Sequence, residues 1–372
     1  MSNTFPEIKK NFGFGCMRLP MCEGEVDTAE FSRMVDAFLD AGFNYFDTAH
    51  GYLNGKSETA LKTCLTSRYP RDRYLLTNKL SGHHFSCNED IRPLLRTQLD
   101  ACGVEYFDFY LMHAQDRVLF EKYKQCRAYE IAFALRDEGL VRHVGLSFHD
   151  KAQVLDRILT EYPELELVQI QFNYMDYDDV SVEGRKCYEV CRKHGKPVFV
   201  MEPVKGGCLV ALPEEAEAVL HGLGDGSTAS YAIRFAAGFE GVEMVLSGMG
   251  NMDMMNDNLS FMREFRPLDA SEQAGIAKVV EILHAKKLIP CTSCKYCMER
   301  CPMGIKIPKL FSCLNGRELY RSWNAGYYYS VHTQKGGLAS ECLGCGLCEE
   351  VCPQHLPIRS LLADVAAAFE KK

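Results

Sequence analysis

Residues Phe107–Ser147 read FDFYLMHAQDRVLFEKYKQCRAYEIAFALRDEGLVRHVGLS. An apolar run, Phe107–His113, leads to a helix-like stretch over Cys126–Glu138, where Ile131 and Leu135 share one face and Arg136, Asp137 and Glu138 face water. Gly139 closes that stretch as a C-terminal cap, and a second apolar run, His143–Ser147, follows. Strand, crossover helix and strand in this order form one βαβ unit, whose strands pair in parallel. The pattern repeats outward in both directions. Asn11–Met17, Phe43–Thr48 and Tyr74–Lys79 precede it, and Val168–Phe172, Val198–Met201 and Met244–Ser247 follow, each leading into helical periodicity. Eight such runs predict an α/β chain built as a (β/α)8 TIM barrel, whereas a doubly wound sheet would carry fewer units and a Gly-rich first turn. No G-x-G-x-x-G follows any run, and Gly13-Phe14-Gly15 in the first is read as a turn or a place of close packing.

At Arg266-Pro267-Leu268 the pattern changes to a linker, a helix expected over Ser271–Lys287 and a tail rich in Cys, Gly and Pro. The chain is therefore divided into a barrel, 1–265, and a linker helix with a second domain, 266–372. Within the tail, Cys291, Cys294, Cys297 and Cys301 precede Pro302, and Cys342, Cys345, Cys348 and Cys352 precede Pro353. This doubled C-x2-C-x2-C-x3-C-P spacing is that of a ferredoxin-like domain with two 4Fe-4S clusters, in which the fourth cysteine of each run serves the other cluster. One cluster is accordingly expected on Cys291, Cys294, Cys297 and Cys352, and the other on Cys342, Cys345, Cys348 and Cys301. Two zinc knuckles are the alternative, disfavoured because zinc has no use for interlocking quartets each closed by proline. The insert between the runs, with Trp323 and Tyr327-Tyr328-Tyr329, is expected to cover the clusters or dock a partner, covering being the plainer choice.

Composition narrows the partners. A net charge of −8 lacks the basic excess that attracts nucleic acid or an anionic membrane surface. The first residues, MSNTFPEIKKNFGFG, hold no apolar leader, and no long apolar stretch follows, so a cytoplasmic protein with no membrane span is expected. Eighteen cysteines in such a chain read as reduced thiols and metal ligands. The ten outside the two runs, such as Cys16, Cys64, Cys102 and Cys208, lack ligand spacing and read as buried apolar fillers.

In a parallel barrel, chemistry collects at the C-terminal ends of strands. Asp47, Lys79 and His113 each end an apolar run, and Tyr52 lies in the loop just beyond Asp47. Singly, each has a structural explanation as a cap, a packed ring or a satisfied core residue. Together they suit carbonyl reduction, where hydride addition creates an alkoxide that needs a proton donor and a second hydrogen bond. Tyr52 would donate, Lys79 paired with Asp47 would lower the phenol's pKa, and His113 would orient the carbonyl.

Asp47-Thr48-Ala49-x-x-Tyr52 with Glu58, Lys79 and His113 resembles the Asp-Tyr-Lys-His tetrad of the aldo/keto reductase superfamily, and with the tail the chain resembles its iron-sulfur branch. The likeness extends over roughly residues 8 to 262. It implies the same barrel, an aldehyde, ketone or alcohol as substrate, and NAD(P)H bound extended across the strand ends without a Rossmann fingerprint. By the same resemblance Ser147 and Gln171 would hold the nicotinamide carboxamide, Met201 would stand where a stacking Tyr is common, and Ser247, Gly248, Met249 and Asn258 would follow the phosphates and adenosine. Gly248–Asp257 offers Asp253 and Asp257 in place of the Lys and Arg that clasp a 2′-phosphate, which favours NADH over NADPH or weak nicotinamide binding.

Hydride chemistry moves two electrons and each cluster one, so three joint readings stand. The barrel reduces its carbonyl with NAD(P)H while the clusters exchange electrons with a separate ferredoxin or other carrier. Alternatively, electrons reach the substrate through the clusters with little use of nicotinamide. Or the chain is a redox-sensing binding subunit, against which the intact tetrad counts.

Overall fold

A computed structural model describes residues 4–286, 288–291, 293–320, 324–334 and 336–370. Ten strands occur among them: β1 (Phe12–Gly15), β2 (Met21–Cys22), β3 (Glu25–Val26), β4 (Tyr45–Asp47), β5 (Leu75–Leu80), β6 (Phe107–Gln115), β7 (Val141–Phe148), β8 (Leu167–Gln171), β9 (Val198–Met201) and β10 (Val242–Ser247). Strands β2 and β3 form a small antiparallel hairpin. The other eight close a barrel in the order β1-β10-β9-β8-β7-β6-β5-β4. Every pairing in it is parallel, with Gly15 opposite Asp47, Lys79 opposite Leu111 and Gln171 opposite Met201. Because a parallel barrel is covered on both faces, its strands are buried throughout, and all six residues of β5 are.

Gly13 is a packing glycine, since a Cβ there would lie 2.7 Å from Leu246 Cδ2 and 2.9 Å from Tyr45 Cδ1. One expected element moves. The stretch Gln115–Lys124, which reads in the sequence as a pocket-shaping loop, contains a helix, Arg117–Gln125, whose first amides at Val118 and Leu119 donate to Asp116 Oδ1 at 2.9 Å. Arg127, at φ 51°, breaks the chain direction, so the expected helix begins only at Ala128 and runs to Asp137. Gly139, at φ 78°, ends it, its amide donating to Arg136 O. The linker helix runs Ala270–His284 from a capping box of Asp269 and Glu272. Lys287 and Trp323 lie outside the described residues.

At the N-terminal end of the barrel, Phe5 packs edge-on to Phe109 and His143. His143 bridges two carboxylates, Glu166 at 2.6 Å and Glu7 at 2.8 Å. Burial pulls the imidazole pKa down, but Glu166 and Glu7 outweigh it, and the net shift is upward. A raised folded-state pKa contributes stability that is fully present below the unfolded value and is lost as pH rises through the folded one. His143→Leu should therefore cost about 1–3 kcal/mol in denaturant unfolding near pH 6, with the gap to wild type narrowing as pH rises. A gap that widens with pH would contradict the bridge.

The chain divides into two compact units. The first runs through Asp178 and adds Val182–Pro203 and Ala232–Leu268, and the second comprises Asp179–Ser181, Val204–Tyr231 and the chain from Asp269 onward. The second unit has its own core of Ile305, Ile307, Leu310, Phe311, Leu356, Ile358, Leu362 and Val365, into which Cys297 and Cys348 project. Its helices include Tyr296–Arg300, Ile307–Leu319, Asn324–Thr333, Leu347–Glu350 and Ile358–Phe369. No helix among the described residues is long and apolar enough to cross a membrane.

Candidate active site and cluster sites

Strand β4 ends at Asp47 and β5 carries Lys79 inward beside it, which brings Lys79 Nζ to 2.5 Å from Asp47 Oδ1 and 2.8 Å from Thr48 O. Lys79 is 0% exposed. An ammonium so buried requires a paired charge, which Asp47 supplies. Gln169, on β8, donates to the other Asp47 oxygen at 3.3 Å. The Lys79 ammonium lies 4.9 Å from the centre of the Tyr52 ring, and that ring meets His113 edge-on at 6.0 Å. The fold thus brings Asp47, Tyr52, Lys79 and His113 together.

The electrostatics depart from expectation at Tyr52. Burial raises the phenol's pKa, the Lys79 ammonium opposes this, Asp47 adds to it, and the net shift is upward from 10.0. Lys79 therefore does not make the phenol acidic in this pocket; it offsets part of the cost of burial, and the hydroxyl keeps its proton. For Lys79 burial pulls down, yet Asp47 and Tyr52 outweigh it and the ammonium stays charged. His113 is driven well below 6.5 by burial and by Lys79, and is neutral. Its Nδ1 is engaged by Ser81 Oγ at 2.6 Å, leaving Nε2 as the other hydrogen-bonding atom.

Several neighbours carry no signal in the sequence. Asn78 donates to Glu58 at 2.7 Å, Gln98 donates to both Asn78 and the Lys79 carbonyl at 3.0 Å, and Tyr110 donates to Gln98 at 2.6 Å. This buried chain fixes the backbone that carries Lys79. On the far side of Glu58, His50 Nδ1 approaches to 2.7 Å, and its ring lies edge-on to His84 at 4.7 Å. Left-handed residues follow the site side chains closely: Leu53 and Asn54 after Tyr52, Ala114 after His113, and Glu202 after Met201. Non-glycine residues in that region cost about 1–3 kcal/mol each and cluster at functional sites; only the folded backbone reveals them.

Of the residues expected along the nicotinamide, Ser147 is 1% exposed and its hydroxyl finds no partner among the described residues, an orphan suited to a carboxamide. Gln171 donates to Asp176 at 2.7 Å, and Met201 lies opposite it across β8 and β9. Ser247 accepts from Asn258 at 2.8 Å, and Met249 is buried beside them. Gly248 leaves the backbone open, since a Cβ there would meet nothing nearer than Arg18 Cβ at 3.6 Å. Arg18, reached from the loop after β1 and 4.0 Å from Glu202, brings a cation to a region whose own sequence has none.

In the second unit, Cys291, Cys294, Cys297 and Cys352 line one cavity, and Cys301, Cys342, Cys345 and Cys348 line another. Each run contributes three cysteines to one cavity and its fourth to the other. Burial and then Cys291 and Cys294 push the Cys297 thiol up to about 12, so these sulfurs become thiolates only against a neighbouring cation. The donor set and the cavities fit a pair of cubanes. Ile307, Pro308 and Phe311, from the insert between the runs, form walls of the first cavity, so that part of the insert covers. Of the other ten cysteines, Cys22 and Cys87 are exposed and Cys208 is partly so, and the rest are buried.

A model of the aldo/keto reductase family matches residues 11–281, and one of the 4Fe-4S dicluster domain matches residues 290–356. The chain is similar to the NADH-specific methylglyoxal reductase of Escherichia coli (strain K12), 26% identical over 195 residues, which are 47% of this chain and 57% of that protein. It is also similar to an aldo-keto reductase of Mycobacterium sp. (strain MCS), 32% identical over 110 residues, 29% of this chain and 37% of that one. The chain thus matches from about a third to little more than half of these relatives' length. Among solved structures, an aldo-keto reductase from Klebsiella pneumoniae in complex with NADPH gives a TM-score of 0.60 at 18% identity, over 75% of this chain and 96% of that one. One from Bacillus halodurans in its holo form gives 0.58 at 23%, over 72% and 91%. At these identities the likeness speaks for the fold.

Proposed function

Since the chain belongs to the aldo/keto reductase family and is an oxidoreductase with a C-terminal 4Fe-4S dicluster domain, we propose that it reduces an aldehyde or ketone, or oxidises the alcohol, with a nicotinamide dinucleotide. The observation that carries this is the fully buried Lys79–Asp47 pair beneath a protonated Tyr52. In this reading 1–265 performs the carbonyl chemistry and 266–372 carries electrons one at a time.

When bound, the nicotinamide supplies or accepts the hydride. Tyr52 then gives its proton to the oxygen as it gains charge. The Lys79 ammonium stabilises the phenolate left behind, a charge that burial alone would penalise. Asp47, steadied by Gln169, keeps the ammonium in place, and neutral His113 donates through the nitrogen that Ser81 leaves available. The Ser147 hydroxyl would take the carboxamide. The exposed Asp253, with Asp257 one turn on, supports NADH over NADPH, and Arg18 would sit at the diphosphate. The 4Fe-4S clusters supply single-electron exchange with a carrier.

With His113 titrating below 6.5 and Tyr52 above 10.0, carbonyl reduction should be level between those limits and decline only as rising pH removes the Tyr52 proton. Anaerobic oxidation of NADH and NADPH by a panel of aldehydes and ketones across that range tests both points. No turnover with either nicotinamide would overturn the proposal, and an alkaline decline centred near neutrality would remove Tyr52 as the donor.

A further inference from the structure

One buried carboxyl group beside the expected cofactor residues takes no part in the proton transfer. Asp176, 1% exposed, lies just beyond β8, and its Oδ2 accepts from Gln171 Nε2 at 2.7 Å and from Asn173 Nδ2 at 2.6 Å. Asn173 is itself fixed from both ends. Its Nδ2 also donates to Glu202 O at 2.9 Å, while its Oδ1 accepts from the backbone amides of Met175 at 3.1 Å and Asp176 at 2.9 Å. With two acceptors at its nitrogen and two donors at its oxygen, Asn173 has one orientation.

The consequence falls on Gln171. An oxygen that already accepts from Asn173 can be faced only by the NH2 end of the Gln171 amide, which turns Oε1 the other way. Gln171 is half-buried, and nothing among the described residues donates to that Oε1. The neighbouring strand β7, paired with β8 through Phe148 opposite Ile170, carries the orphan hydroxyl of Ser147. A carboxamide has an oxygen that accepts and an NH2 that donates. The Ser147 hydroxyl suits the first and Gln171 Oε1 the second. The same cluster also reaches the turn after Met201, because Asn173 holds the carbonyl of Glu202, whose φ is 58°.

Resting on the reading of the barrel mouth as an NADH site, we propose that Asp176 is a positioning residue. With Asn173 it locks the Gln171 amide so that Oε1 faces the cofactor and accepts from the carboxamide NH2 of the nicotinamide. Without Asp176 the amide turns over freely, and an NH2 presented to an NH2 makes no bond.

The test is anaerobic titration calorimetry of the full-length protein with NAD+ and with 3-acetylpyridine adenine dinucleotide, in which a methyl group replaces the carboxamide NH2. Wild type should bind NAD+ about 5- to 10-fold more tightly than the analogue, the worth of one hydrogen bond. Asp176→Ala, and Asp176→Leu as a second variant that fills the volume, should cut this preference to about twofold or less by weakening NAD+ while leaving the analogue nearly unchanged. Gln171→Met should remove the preference as well, and should add nothing in the Asp176→Ala background, because the two residues act through one bond. A wild type without the preference, or a preference that survives in both Asp176 variants, would overturn the role. Equal loss of both dinucleotides would make Asp176 a structural residue and overturn it too. A wild type that binds neither dinucleotide would instead overturn the reading of an NADH site on which the role rests.

Discussion

Tyr52→Phe should lower kcat/KM for carbonyl reduction by about 10²- to 10⁴-fold, the range general acid catalysis supplies, while nicotinamide affinity changes little. Phenylalanine fills the same space against His113 and keeps the ring near the Lys79 ammonium, so the pocket is preserved. What is lost is a proton held ready at neutral pH. Because burial keeps the phenol's pKa above 10.0, the loss should be nearly the same at every pH below that value. A variant with ordinary turnover would remove Tyr52 from the chemistry, and one with equally damaged cofactor binding would make it a structural residue.

Cys352→Ser should damage the cluster site of Cys291, Cys294 and Cys297, 55 to 61 residues earlier in the chain, and spare the site of its own run. Cys352 lines the cavity of the first run, whereas Cys342, Cys345 and Cys348 turn to the other. Iron and sulfide, about eight of each per chain in the wild type, should fall in the variant. The altered resonance should match that of Cys291→Ser and differ from that of Cys342→Ser. If Cys352→Ser and Cys342→Ser disturb the same signal, each run holds its own cluster and the interlocked arrangement is wrong.

Much of the barrel was legible because its signals are local. The eight apolar runs mark the eight barrel strands to within about two residues, since a strand buried on both faces is apolar along its own length. The loop expected at Gln115–Lys124 is partly helix because a single cap, Asp116, starts a turn that periodicity alone does not mark. Asp47, Lys79 and His113 were found as polar residues ending apolar runs. Ser81, Gln169 and the Asn78–Gln98–Tyr110 chain were not, because their partners lie up to 122 positions away. Arg18 escaped for the same reason, coming to Gly248 from the opposite end of the chain.

By itself the sequence determined the element order, the strand-end positions of the candidate site residues and the spacing of the cysteine runs, all of which depend on neighbours a few bonds apart. Only the tertiary structure decided that Tyr52 holds its proton more tightly than in water, that Val204–Tyr231 groups with the tail, and that Cys345 alone of the eight run cysteines is exposed. Each of these is set by burial. Burial is a sum over every segment that packs against a residue, and that sum exists only once distant parts of the chain have come together.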